Sequence, residues 1–244
     1  MKIDFRRFTM VCIASTIVFL FGSAPIAAQI KSGRGTRQST STEISDRDWN
    51  QLSGALARED WNLAARTSDD LLRSLKIEND KKQVAQLRYL HLFALAGRLS
   101  RLIVGKNETA AGPAWEELEN TAVSYRGQEL MMPARSFSIS CAGKVNFVCP
   151  VRDDRRALRV SSTNSNGDFI LAFEYYSFVE DIDLRDLEAR KVFLVGKLDK
   201  FEFNQDDSKP WIMRLFIKST AARIAIGGLA LIPAEPSIDV ASVP

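Results

Sequence analysis

Trp115-Glu116-Glu117-Leu118-Glu119-Asn120-Thr121-Ala122-Val123-Ser124-Tyr125-Arg126-Gly127 ends one hydrophobic rhythm and opens another. Up to Gly127 the apolar residues recur at helical spacing. Beyond it they alternate, as on a strand with one buried face. Trp115, Leu118, Ala122 and Val123 make the last helical stripe, opened by Gly112-Pro113 and stopped by Gly127. The change of period at Gly127 predicts an α+β chain, with helices first and a small antiparallel β-barrel or sandwich after them.

Upstream, Ser45 is a potential N-cap, and the acids Asp46 and Asp48 suit the positive end of the helix that follows. Trp49, Leu52 and Leu56 give that helix its stripe. A break near Glu59-Asp60 leads to a second helix carrying Trp61, Ala64, Ala65, Leu71, Leu72 and Leu75. Asn79-Asp80 opens a third, with Val84, Leu87, His91, Ala94, Leu95 and Leu99 on one side, running toward Val104. Downstream, Phe137, Ile139 and Cys141 alternate with serines. Asn164-Ser165-Asn166-Gly167 is a turn signal before Asp168–Phe178, whose alternation sets Tyr175 and Tyr176 on opposite faces. Lys191–Phe203 changes phase around Gly196, the mark of a bulge or a barrel corner. Trp211, Met213, Leu215 and Ile217 form a further strand, reached through the turn Asn204–Pro210.

The amino terminus predicts a location. Lys2, Arg6 and Arg7 precede an apolar run from Phe8 to Phe21 and the small-residue segment Gly22–Ala28, the layout of a secretory signal peptide cut after Ala28. Three basic residues and one acid lie in that segment, so the net charge of +3 falls to +1 in the mature chain. A near-neutral surface argues against a protein that neutralises phosphates, and no nucleic-acid partner is expected. Cys12 leaves with the signal peptide. Cys141 and Cys149 remain, and an even count in an exported chain predicts a disulfide stabilising by about 2–3 kcal/mol. The expected organisation is a signal peptide at 1–28, a flexible leader at 29–44, a helical domain at 45–126, a β domain at 127–232 and a flexible tail at 233–244.

Two resemblances attach to these segments. Trp49, Leu52, Leu56, Ala65 and Leu72 are spaced like the signature of a tetratricopeptide helix pair, with the repeat glycine displaced to Gly54 and the terminal proline missing. That resemblance implies a concave surface that holds a protein or peptide. Lys191–Leu198, with its glycine bulge and following strand, resembles the corner-turning strand of an OB-like barrel, which implies a strand-face cleft for an oligomer or small ligand.

Chemically distinctive residues are few. His91 is the single histidine and lies on an apolar stripe, where packing accounts for it. No nucleophile elbow, metal-ligand spacing or calcium loop accompanies it, so no catalytic, metal-binding or cofactor residue is assigned. The run Arg152-Asp153-Asp154-Arg155-Arg156-Ala157-Leu158-Arg159, two aspartates among four arginines, suits a solvated, self-paired turn, with a phosphate or carboxylate clamp as the sharper reading. The acidic run Glu180-Asp181-Ile182-Asp183, followed by Asp186 and Glu188, suits a solvated helix start or loop. Trp211 fits a core position by its phase, and one of Tyr175 and Tyr176 faces outward. Arg152, Arg155, Arg156, Tyr175, Tyr176 and Trp211 form the candidate binding surface. The expected function is that of an exported, periplasmic or extracellular, non-catalytic protein that binds a protein or envelope polymer through its helical layer, without a membrane span after cleavage. The alternatives are a hydrolase of an envelope polymer and an oligomer-binding or small-ligand-binding β-barrel.

Overall fold

Ser45 caps the first helix as its sequence foretells: its hydroxyl accepts a hydrogen bond from the Asp48 amide at 3.2 Å, at the start of α1 (Asp46–Ala57). The computed structural model describes residues 44–75, 81–142, 144–167, 169–204 and 211–224. The signal-peptide segment, most of the leader, the Asn79-Asp80 start, residues 205–210 of the Asn204–Pro210 turn and the 233–244 tail lie outside them. Ile44, placed in the leader by composition, is instead buried. Its amide donates to Gln83 Oε1 at 3.1 Å, which ties the chain to the third helix before the first begins.

α2 (Trp61–Ser74) starts at Asp60, whose carboxylate accepts from the Leu63 amide, and Glu59 before it takes a left-handed φ of 54° to make the break. α3 (Lys81–Val104) is the long central helix, with α2 and α4 (Glu108–Ser124) both packed on it. Trp61 of α2 lies so close to Gly97 of α3 that a Cβ there would fall 2.6 Å from the indole Cδ2. The fourth helix starts earlier than the Gly112-Pro113 break suggests. Asn107 accepts from the Ala110 amide, and this cap outweighs a proline that sits only at the sixth helical position.

Among the described residues seven strands follow: β1 (Glu129–Met131), β2 (Arg135–Phe137), β3 (Phe147–Val151), β4 (Asp154–Thr163), β5 (Phe169–Ser177), β6 (Lys191–Phe203) and β7 (Met213–Ile224). A 3-10 turn at Leu184–Asp186, capped by Asp183 at the end of the acidic run, lies between β5 and β6. The chain is therefore α+β, helices before strands. The sheet is mixed rather than antiparallel: β2 pairs parallel with β3, and β5 pairs parallel with β7. Its order is β1-β6-β2-β3-β4-β5-β7, and a further β6–β7 pairing turns the pairings into a closed circuit. β6 carries the expected irregularities, with register shifts beside Gly196 and beside Asp199. A Cβ at Gly196 would fall 2.7 Å from Ile217 Cγ2, so the strands approach there as only glycine permits.

Two local readings are corrected. The strand begun by Phe137 does not continue to Cys141: Ile139 is exposed, and the chain leaves the sheet after Phe137 and re-enters it at Phe147 as β3. The Arg152–Arg159 run is not simply a turn. Arg152-Asp153 make the turn, with Asp153 at φ 61°, and β4 begins at Asp154 with Leu158, Val160 and Ser162 facing inward.

Helices and strands belong to one compact unit and share one hydrophobic cluster, from Trp49, Trp61 and Leu90 in the helices to Leu158, Leu194 and Leu215 in the strands. α3 closes the cluster, packing on both β1 and β5.

Candidate binding face

The alternation of β5 divides its side chains between two very different environments. Glu174 and Tyr176 point into the core and are fully buried. Tyr175, between them, is half-buried on the other face. Strand register sets four side chains on that face in a row: Arg159 of β4 opposite Tyr175, Tyr175 opposite Phe216 of β7, and Phe216 opposite Lys200 of β6. The Tyr175 and Phe216 rings are stacked, with centroids 5.2 Å apart and planes 8° from parallel. Lys200 Nζ stands 4.2 Å from the Phe216 centroid. One rank along, Arg214 lies opposite Glu202, and its guanidinium carbon is 4.3 Å from the Trp211 ring. One rank the other way, Lys218 binds Asp199 at 2.9 Å. The face thus carries an aromatic centre bordered by cations, with carboxylates interspersed.

Of the residues singled out in the sequence, Tyr175 and Trp211 belong to this face. Trp211 is half-buried and precedes β7, while Met213, Leu215 and Ile217 supply the core stripe. Tyr176 does not belong to it; its hydroxyl points to Glu174 in the interior. Arg155 shares the face of Arg159 but lies about 13 Å along β4 at strand rise. Arg156 is exposed on the alternate phase of β4. Arg152 is exposed at the hairpin turn, 3.6 Å from Asp153, as a self-paired turn requires. Lys200, Arg214 and Phe216 escaped the sequence reading, and Arg159 entered it only as the end of the Arg152–Arg159 run. Only the pairing of strands distant in sequence brings them together.

Compared with known proteins, the chain matches no family model, no curated protein and no solved structure. The site is therefore judged on its own chemistry.

Behind the face lies a second polar group, cut off from solvent. Glu174 Oε1 accepts hydrogen bonds from Ser162 Oγ at 2.7 Å and from Tyr89 Oη of α3 at 2.9 Å, and Oε2 accepts from Tyr176 Oη at 3.4 Å. Arg135 of β2, also buried, contributes its charge. Burial pushes the Glu174 carboxyl up to about 7, against the downward pull of the Ser162 and Tyr89 hydrogen bonds, the Arg135 charge and the Tyr176 hydrogen bond. Burial likewise raises the Tyr89 and Tyr176 hydroxyls well above the usual tyrosine range.

His91 is buried against Tyr125, with Nδ1 2.9 Å from the phenol oxygen, and burial lowers its pKa while raising that of Tyr125 to about 12. It packs between helical elements, in keeping with its stripe position. Cys141 and Cys149 lie within bonding distance, their Cα atoms 5.9 Å apart, which holds Cys141 against β3.

Proposed function

We propose that this is an exported, non-catalytic binding protein that holds an extended acidic oligosaccharide, a segment of an envelope polymer, across the outer face of β4, β5, β7 and β6. The observation that carries this reading is the Arg159–Tyr175–Phe216–Lys200 row, stacked rings flanked by cations on a half-exposed sheet face. Flat rings offer apolar area to a sugar's carbon face, and the bordering cations suit sparse carboxylates along the same chain. Asp199 and Glu202 among the cations, together with the near-neutral mature charge, disfavour a densely charged nucleic acid. The closed circuit of pairings supports the OB-like resemblance and, with it, a strand-face site for an oligomer. Export is supported by the amino-terminal sequence and by the cysteine pair. The helical layer offers less surface. α3, its central element, is buried on nearly every side from Gln83 to Ser100, so an adaptor groove would lack its middle wall.

The test is titration of the purified protein with an oligogalacturonate, a neutral cello-oligosaccharide of equal length and a single-stranded oligothymidylate, followed by calorimetry. The acidic sugar should bind best, and Tyr175→Ala or Phe216→Ala should each weaken it about tenfold, the scale of one lost ring-stacking contact. Undiminished binding by both variants sinks the sheet-face reading. Tightest binding to the oligothymidylate replaces the sugar by nucleic acid.

A further inference from the structure

The last turn of α3 carries Leu102, Ile103 and Val104 in succession. Leu102 packs against the core, while Ile103 and Val104 are 47% and 70% exposed. The other exposed large apolar side chains among the described residues, Val123, Ile139 and Val179, stand singly. Isolated apolar residues are ordinary on a protein surface; an adjacent pair at the end of a helix is not. The chain then reverses tightly. The amides of Gly105, Lys106 and Asn107 donate to the carbonyls of Arg101, Ile103 and Leu102, so the tip is held from within. Lys106 takes a left-handed φ of 53° in this turn, a conformation that glycine or asparagine adopts at less cost. Together with Arg101 it sets two exposed cations beside the apolar pair, and neither makes an ion pair among the described residues. Arg98, one turn back, is by contrast bound to Glu117 of α4. Glu108, the nearest acid in sequence, lies in the first turn of α4, where the positive helix end offsets its charge.

We propose that the α3–α4 tip is a membrane-surface contact: Ile103 and Val104 enter the headgroup boundary of an anionic bilayer, and Arg101 and Lys106 meet its phosphates. Size and charge together select that occupant. Two side chains are far too small a patch for a lasting protein interface, which buries about 1,200–2,000 Å². A fluid lipid surface asks only for a projecting apolar point with cations at headgroup level. The internally bonded turn suits this use, because little has to be ordered on contact. Val179 shows the opposite setting. It is 75% exposed, but Glu180 and Asp181 follow it, and an anionic surface repels them. A contact of this size is weak, reversible and sensitive to salt. It holds the protein at a bilayer whatever the outer face of the sheet binds.

The experiment is vesicle flotation of the protein recovered after export, with loss of residues 1–28 confirmed by intact mass so that their apolar run takes no part. The vesicles are phosphatidylcholine alone and phosphatidylcholine mixed with phosphatidylglycerol. Affinity should be about tenfold or more higher for the anionic vesicles, the scale of two cations at a charged surface, and should collapse between about 50 mM and about 500 mM salt. Ile103→Ser combined with Val104→Ser should weaken it about tenfold, while Val179→Ser leaves it unchanged. Both tip residues are exposed, so the double variant keeps the core, and an unchanged melting temperature verifies that. No flotation with the anionic vesicles, or equal flotation by wild type and double variant, overturns the proposal. The comparison of the two vesicles needs no variant: equal flotation of the wild type with both overturns the assignment to an anionic surface. Self-association of the wild type in sedimentation, lost in the double variant and without flotation, overturns it too and puts a second copy of this chain in place of the bilayer.

Discussion

His91 and Glu174 pull the stability of this protein in opposite directions as pH changes. Glu174 has its carboxyl raised from 4.5 to about 7 by burial, so the folded chain keeps a proton that the unfolded chain has lost. Stability therefore falls as pH rises from about 4.5 to about 7, by about 3 kcal/mol for the group alone. His91 has its pKa lowered, again mainly by burial, so its stabilising effect is present above the ordinary imidazole value of 6.5 and is lost as pH falls through the folded value. His91→Gln removes that opposing slope. Urea unfolding between about pH 5 and about pH 7 should show a steeper loss of stability with rising pH in the variant than in the wild type. An identical slope would mean that His91 is not held neutral. The packing role of His91 was legible, because an imidazole between Leu87 and Leu95 on an apolar stripe has few other uses. The role of Glu174 was not. Alternation places it on the face of Tyr176, but what covers that face is a tyrosine from a helix far away in sequence.

At the scale of the elements, the region between β2 and β3 illustrates how covalent and hydrogen-bonded constraints combine. Phe137 and Val148 are paired in parallel, which demands a loop between them, and Cys141–Cys149 cinches it. Alkylation of the unreduced protein should leave both thiols unlabelled by intact mass, and replacing both by Ala should lower stability by about 2–3 kcal/mol while leaving oligosaccharide titration unchanged. Two labelled thiols would remove the bond from the account. The pairing was readable from cysteine arithmetic alone. The early stop of the strand at Phe137 was not, since Phe137, Ile139 and Cys141 keep the period of a strand while Ile139 is left outside. β4 was hidden for the converse reason: its first three residues, Asp154, Arg155 and Arg156, are charged and exposed, so the inward series Leu158, Val160 and Ser162 begins late. Of the two caps that the structure shows at the ends of the helical region, one was read and one was not. Ser45 starts its helix where the sequence places it, whereas the Asn107 cap was overlooked for Gly112-Pro113, which lies inside the helix it was read to open.

For the whole molecule, the change of period at Gly127 was legible as a change from helices to strands, and Gly127 itself takes a left-handed φ of 74° just after α4 ends. That the two layers share one cluster could not be read from either pattern, because a helix stripe and a strand face look the same whatever they pack against. A shared core predicts one cooperative transition: tryptophan fluorescence, weighted to the helices by Trp49, Trp61 and Trp115, and the β signal in circular dichroism should report the same midpoint in denaturant. Separate midpoints would show layers that fold apart. The double partnership of β7, parallel to β5 on one side and antiparallel to β6 on the other, has a bearing on how such a chain is made. A chain that emerges amino terminus first presents β5 and β6 as two open edges, each a template for pairing with a second copy, until β7 arrives to occupy both. β7 is thus the keystone of assembly, and the interval before it is placed is when the chain has most need of protection from its own kind.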